Sequence, residues 1–210
     1  MKVSCLHENL ATGLGIVGRA VAARSTLPVL GNVLLATDES RLRLSATNLE
    51  LGITCWIGAK VHAEGSTTVP AKTFIDLVGT LPREQVDLEF TSRTQTLQVT
   101  CAQFNNDIKC IDAQEFPILP STDEAQALDL NVRDLRTMID QVVFAAATDD
   151  ARPVLTGVEV KIDAGEVSFA AADGFRLALC NSTLSNTDVQ PVSAIIPARG
   201  LAELARIVGD

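Results

Sequence analysis

Apolar residues recur along this chain at two spacings, one typical of helices and the other of strands. Every third or fourth position is apolar in residues 7–22 and again in residues 132–147, which predicts two amphipathic helices. Asn131 precedes the second of these and can cap its N-terminus. Two shorter helices are predicted to begin at Ala71 and Ala198, each directly after a proline, whose missing N–H costs nothing at a helix start. The four helices form two pairs.

Strand patterns separate the two helices of each pair. Short stretches rich in apolar residues, broken by polar or glycine-containing turns, predict one β-hairpin in each half of the chain. Their strands are residues 31–36 with 41–46, and residues 157–162 with 166–171. Three more strands are predicted after the second helix of the first pair, at residues 86–90, 96–101 and 107–111.

The second half of the chain repeats the first at an offset of 125 residues. Pro-Val-Leu at residues 28–30 aligns with Pro-Val-Leu at residues 153–155. After a slip of two residues, Val-Pro-Ala-Lys at 69–72 aligns with Ile-Pro-Ala-Arg at 196–199. A shared architecture explains this agreement better than coincidence. We therefore expect an α+β fold made of tandem units, each with two helices packed on antiparallel sheets.

The repeat also predicts where the domains lie. We expect a complete first domain at residues 1–120, a linker at 121–127 and a second domain at 128–210. The three strands predicted after the second helix of the first domain have no counterpart in the second domain. The second domain is therefore expected to be truncated, and the chain to be an aggregation-prone portion of a larger tandem protein.

Composition narrows the class of protein. The chain is 47% hydrophobic, enough for a substantial core, yet its apolar runs are too short to span a bilayer and its N-terminus does not resemble a signal peptide. We expect a cytoplasmic protein. The five cysteines form no C-x-x-C pair and the chain has two histidines, so we expect reduced thiols, no metal site and no cofactor. A net charge of −9 argues against nonspecific coating of nucleic acid.

A glycine motif offers an alternative function. Gly13, Gly15 and Gly18 satisfy G-x-G-x-x-G, and Asp38 follows at the distance of a ribose-binding acid, as in an NAD-dependent oxidoreductase. That motif requires a strand to end at its first glycine, whereas the preceding residues read as a helix already under way. The second copy has no glycines there. Close packing of a helix against a sheet or a neighbouring helix is the favoured interpretation.

Five blocks of sequence resemble the bacterial DNA polymerase III beta subunit family, the sliding clamps. They are residues 24–32, 68–72, 115–117, 173–178 and 196–200. The resemblance implies three such domains per subunit and a dimeric ring whose helices surround duplex DNA. It implies a processivity factor of the replicative polymerase, without catalytic activity of its own. A standalone adaptor that keeps a peptide pocket but does not encircle DNA is a further alternative.

Charge along the predicted helices agrees with that implication. Residues 7–24, 72–83, 132–147 and 199–206, which cover the predicted helices and their ends, carry a net charge of +3, which leaves −12 on the remainder of the chain. Weak attraction to phosphates inside a ring would hold DNA while leaving it free to slide. The candidate DNA-binding residues are Arg24, Lys72, Arg136, Arg199 and Arg206.

The resemblance also implies two protein-binding surfaces. One is a pocket for short linear peptides of polymerase subunits, the clamp loader and repair proteins. Its implied residues are Arg152, Leu155, Ala172, Gly174, Phe175, Arg176 and Leu177. Ala172 and Phe175 replace the family's usual threonine and histidine, which predicts a more apolar pocket. The other surface is a homodimer edge at Phe104, Ile108 and Ile111, which would meet the third domain of a partner subunit.

Overall fold

The protein divides into two compact units, Met1–Pro120 and Ser121–Asp210, termed unit 1 and unit 2. The structure is a computed structural model that describes residues 1–22, 25–120, 129–149, 151–184 and 190–208.

Unit 1 contains two α-helices on an antiparallel sheet. Its elements are β1 Lys2–Leu6, α1 His7–Val17, β2 Asn32–Asp38, β3 Arg41–Thr47, β4 Gly52–Ala63, β5 Ser66–Pro70, α2 Ala71–Thr80, β6 Gln85–Thr91, β7 Thr96–Cys101 and β8 Phe104–Lys109. The strands pair in the order β5-β2-β3-β4-β1-β6-β7-β8. The long strand β4 pairs with β3 through one half and with β1 through the other, and so joins two four-stranded halves.

The core of unit 1 lies between its helices and this sheet. Leu10, Leu14 and Val17 recur at helical spacing on α1 and are fully buried. The imidazole of His7 then ties the two helices together, since its Nε2 lies 2.8 Å from the carbonyl oxygen of Val78 on α2. One apolar stripe and one polar contact therefore fix α1 in place.

Unit 2 repeats this arrangement with a four-stranded antiparallel sheet. Its elements are α3 Val132–Val142, β9 Gly157–Asp163, β10 Glu166–Ala172, β11 Leu177–Thr183, β12 Val192–Pro197 and α4 Ala198–Ile207. The strands pair in the order β11-β10-β9-β12. Asn131 caps α3 as predicted, because its side-chain oxygen accepts the N–H of Arg133 at 2.9 Å and that of Asp134 at 3.4 Å. The two hairpins and the starts of α2 and α4 are likewise confirmed.

Three predicted bounds differ from the structure. The first helix of each unit is shorter than its apolar pattern, because α1 and α3 give way to 3₁₀ turns at Gly18–Ala20 and Val143–Ala145. The strand predicted at residues 107–111 lies instead at Phe104–Lys109. A two-residue turn joins it to β7, with Ala102 at a φ of 51°. Ala-Gln is an unusual sequence for such a turn, which prefers glycine or asparagine, and the prediction therefore placed the strand too late.

Candidate functional site

The glycine motif begins inside α1 and ends in the 3₁₀ turn that follows it. β1 ends at Leu6 and α1 begins at His7, so the junction of strand and helix comes well before Gly13. A Cβ at Gly13 would lie 2.6 Å from Cδ1 of Leu44, and one at Gly18 would lie 2.9 Å from Cδ1 of Ile75. These glycines let α1 pack closely against β3 and α2, as the favoured interpretation predicted. The oxidoreductase alternative has no support.

A tight turn between β10 and β11 carries most of the predicted peptide pocket. The carboxylate of Asp173 organises it: Oδ1 accepts the N–H of Phe175 at 2.9 Å and that of Arg176 at 3.0 Å. The other oxygen, Oδ2, accepts the Nε–H of Arg176 at 2.9 Å. The backbone N–H of Phe175 first, and then that of Arg176, hold the pKa of Asp173 below its ordinary value of 3.8. These hydrogen bonds therefore fix the backbone of the turn.

The structure brings several predicted pocket residues together at this turn. Gly174 adopts a φ of +93°, and a Cβ there would lie 3.0 Å from Nη1 of Arg152. Ala172 pairs with Leu177 across the strands, and Leu177 is 72% exposed. Phe175 stands out from the turn and is 95% exposed. These neighbours form a surface of apolar side chains flanked by guanidinium groups.

Leu155 and Phe144 lie on the segments before β9. Leu155 is partly buried, and its carbonyl oxygen accepts the N–H of Ala147 at 2.8 Å. Phe144 is a residue that sequence reasoning missed: it is exposed, and the guanidinium of Arg176 lies 5.6 Å from the centre of its ring. It falls within the helix predicted at residues 132–147, but α3 ends at Val142, before it.

The candidate DNA-binding residues lie on the helices, apart from Arg24, which is outside the described residues. Lys72 and Arg199 are exposed and occupy the second position of α2 and α4. Arg136 is exposed on α3, and Arg206, in the last turn of α4, pairs with Glu203. For Arg206 this ion pair partly neutralises the charge that a phosphate would meet. Lys72 and Arg199 are thus the strongest of the five candidates.

The three residues of the predicted dimer edge differ in how exposed their side chains are. β8 lies at one end of the strand order, and Phe104 at its start is 45% exposed. Ile108 is only 7% exposed because it faces the core, opposite Leu97. Ile111 is partly buried, and its backbone exchanges two hydrogen bonds with Thr68 of β5. Of the three, Phe104 alone offers a largely accessible apolar side chain.

The cysteines are free thiols. Cys5 and Cys101 are buried and the other three are partly buried. Burial raises the pKa of the Cys5 thiol to about 12, so it carries no charge at neutral pH. Within the described residues, no three histidine, cysteine or acidic side chains are grouped to hold a metal ion, and no helix is long and apolar enough to cross a membrane.

Comparison with known families matches both units. The family model described as "DNA polymerase III beta subunit, N-terminal domain" covers residues 1–120, and that described as "DNA polymerase III beta subunit, central domain" covers residues 129–210. The beta sliding clamp of Synechocystis sp. is 36% identical over 230 residues, and that of Staphylococcus aureus is 30% identical over 218. Both comparisons cover all of this chain, which spans 58% and 57% of the length of the two relatives.

Solved structures agree with these relatives. The sliding clamp of Bacillus subtilis superposes with a TM-score of 0.96 at 27% identity, and the DNA polymerase III beta subunit of Pseudomonas aeruginosa with 0.92 at 30%. Both cover the whole chain, which spans 57% of their length. A P. aeruginosa clamp bound to griselimycin gives a TM-score of 0.91 at 29% identity.

The tandem units therefore define a DNA clamp protein, and the predicted α+β clamp fold is confirmed. Within that class, the chain belongs to the DNA polymerase III beta subunit family.

Proposed function

We propose that this chain is part of a DNA sliding clamp, a non-enzymatic processivity factor that encircles duplex DNA in the bacterial cytoplasm. In this proposal the chain supplies the first two of three clamp domains, the second in part, and residues 121–127 link them. The complete ring is a homodimer that tethers polymerase subunits, the clamp loader and repair proteins. The exposed cations on the helices of both units carry the proposal.

Lys72 and Arg199 are the best placed of these cations. Each lies in the first turn of a helix whose N-cap is a proline, Pro70 or Pro197. Neither helix has a side-chain hydrogen bond that caps its N-terminus. The first backbone N–H groups of a helix attract anions, and a nearby cation adds to that attraction. The repeat thus supports the same phosphate-binding role for Lys72 in unit 1 and Arg199 in unit 2. Such contacts hold the DNA backbone without reading its sequence.

A DNA titration tests this role. Binding of a fluorescein-labelled 20-base-pair duplex to the chain would be measured by anisotropy across a range of salt concentrations. The double variant Lys72→Ala/Arg199→Ala should bind more weakly and lower the magnitude of the log–log salt slope by about two, since each phosphate contact contributes roughly 0.9.

The matched control is Lys60→Ala/Lys161→Ala, which removes the same charge from exposed positions on β4 and β9. It should leave the slope unchanged. Equal losses in the two double variants would mean that net charge, and not the helix ends, governs binding, and would contradict the assignment.

The turn between β10 and β11 supports a peptide-binding role. Its exposed Phe175 and Leu177 beside the guanidinium groups of Arg152 and Arg176 suit a peptide with apolar side chains and a nearby acidic group. The griselimycin-bound relative shows that a clamp of this family holds a ligand. We propose that the pocket comprises these residues with Leu155, Ala172 and Gly174.

A further inference from the structure

The unit 1 sheet has an outer face, the side away from α1, which is covered at one end and open at the other. At the covered end Ser45 is only 3% exposed, and Leu119 lies 3.0 Å from the place of a Cβ at Gly52. At the open end Trp56 is 45% exposed. The strand register places Trp56 of β4 opposite Arg43 of β3. The open end therefore carries an accessible aromatic ring beside a cation.

Two side chains hold the indole of Trp56. Its Nε1–H donates to Oδ2 of Asp38 at 2.6 Å, and the guanidinium of Arg41 lies 5.7 Å from the centre of its ring. Asp38 and Arg41 pair with each other across the hairpin of β2 and β3. A ring held in this way loses little conformational freedom when a partner packs against it.

Arg43 lacks contacts of this kind. Leu42 and Leu44, its neighbours on β3, are buried in the core, so Arg43 faces outwards. Its Nε is buried, and no acceptor in the described part of the chain lies within hydrogen-bond distance of that atom. The side chain as a whole is only partly buried, so its terminal nitrogens reach the surface. A guanidinium that is held in place but meets no acceptor is suited to bind an anion.

Charge at the open end favours a single carboxylate over a polyanion. The two arginines are balanced by Asp38 and Glu39 of the adjoining hairpin. Nucleic acid binds through contacts to many phosphates, which these two acids would repel. A carboxylate needs only one guanidinium, whose two terminal nitrogens can each donate to one of its oxygens. Trp56 beside it suits an apolar side chain, and tryptophan and arginine dominate many protein interfaces.

Unit 2 has neither residue at the same positions. Ser168 and Asn181 correspond to Arg43 and Trp56 at the repeat offset, and they too face each other across neighbouring strands. The sheet of a clamp unit therefore forms with small polar residues in this register. Serine and asparagine are thus suitable replacements for testing what Arg43 and Trp56 bind.

We propose that the open end of this face binds an acidic segment of a partner protein. An aspartate or glutamate carboxylate of that segment lies on Arg43, and an adjacent apolar side chain packs on Trp56. The site uses unit 1 alone and lies on the side of the sheet away from the helices. It is therefore independent of the proposed DNA contacts and of the proposed pocket in unit 2.

Two fluorescein-labelled peptides, Gly-Ser-Glu-Phe-Ser-Gly and Gly-Ser-Gln-Phe-Ser-Gly, test the site by anisotropy with the 210-residue chain. The wild-type chain should prefer the glutamate peptide by about tenfold, a factor that corresponds to about 1.4 kcal/mol. Arg43→Ser should remove this preference, whereas Trp56→Asn should weaken both peptides alike. The matched control is Arg93→Ser, which removes the same charge from an exposed turn between β6 and β7 and should keep the preference.

Unlabelled glutamate peptide should also change the fluorescence of Trp56, the single tryptophan. Equal affinity of the wild-type chain for the two peptides, or binding of neither, would overturn the site. An equal loss of preference in Arg93→Ser and Arg43→Ser would overturn it too, because net charge would then account for the effect. The last probe is a fluorescein-labelled ten-base oligothymidylate. If it binds more tightly than the glutamate peptide and Arg43→Ser weakens it, the surface binds nucleic acid and the acidic-segment assignment is wrong.

Discussion

One side-chain oxygen organises the equivalent turn in each unit. Asn48 of unit 1 accepts the N–H groups two and three residues later, at 3.0 and 2.8 Å. Asp173 lies at the same place in the repeat and makes the same two contacts, and it adds the ion pair with Arg176. An amide and a carboxylate are thus interchangeable for the backbone. They differ in charge, which gives the unit 2 turn a dependence on pH.

The depressed pKa of Asp173 predicts the direction of that dependence. A carboxyl group whose pKa is lower in the folded state stabilises the fold at pH values above its ordinary pKa of 3.8. This contribution is lost as the pH falls through the lower pKa of the folded state. The amide proton shifts of Phe175 and Arg176, followed by NMR, should therefore titrate with a midpoint below 3.8. In Asp173→Asn the turn should persist, as it does around Asn48, without that titration.

Asp173→Ala is the complementary variant, because it removes the carboxylate oxygen that accepts both backbone N–H groups. Hydrogen exchange at Phe175 and Arg176 should become several-fold faster, while Asp173→Asn should stay close to wild type. A wild-type midpoint at or above 3.8 would show that these hydrogen bonds do not hold the carboxylate.

At the scale of elements, α1 contains two glycines, which weaken a helix, yet it packs closely against the sheet. A Cβ at Gly13 would lie 2.6 Å from Cδ1 of Leu44 and 2.9 Å from Cγ2 of Ile57, and both of those side chains are buried. Gly15 faces open space. The same residue type therefore serves packing at one position of α1 and only weakens the helix at the other.

Alanine substitutions should separate these two effects. Gly13→Ala gains about 1 kcal/mol of helix propensity but overpacks the core at a cost of about 1–3 kcal/mol, so unit 1 should lose roughly 1 kcal/mol of stability. Gly15→Ala should gain up to about 1 kcal/mol. Urea unfolding followed by the fluorescence of Trp56, the single tryptophan, reports on unit 1. Stabilisation by both substitutions would mean that Leu44 and Ile57 yield more readily than their burial indicates.

Local signals located most of the elements, and long-range pairing decided the rest. The prolines at 70 and 197 fix the starts of α2 and α4, and Asn131 marks the start of α3, because capping and proline geometry act within a few residues. The position of β8 depends on its pairing with β7 through an unusual turn, which the apolar pattern does not encode. Strand bounds were correspondingly less accurate than helix starts.

The candidate sites follow the same division. Position within the repeat was enough to place Lys72 and Arg199 at equivalent helix starts. The burial of Ile108 was not foreseen, because it depends on the opposite side chain, Leu97, in a neighbouring strand.

At the scale of the whole molecule, closure of the proposed ring would depend on the edge strand β8. It pairs with β7 on one side, and within the described residues no other named strand pairs with its second side. Phe104 lies on this edge with 45% of its surface exposed. An unpaired edge with an accessible aromatic side chain is a ready template for another strand. The proposed ring therefore makes Phe104 the apolar anchor of the contact between subunits.

Mixing this chain with the third domain that the proposed ring requires, produced alone from a full-length beta sliding clamp, tests that anchor. Sedimentation velocity should detect a complex, and Phe104→Ser should weaken it by about tenfold or more, as expected for an aromatic residue central to an interface. Leu49→Ser is the matched control, because Leu49 is an exposed apolar residue of unit 1 in the turn between β3 and β4. Equal weakening by the two substitutions would indicate nonspecific hydrophobic association, whereas a loss confined to Phe104→Ser would assign the contact to β8.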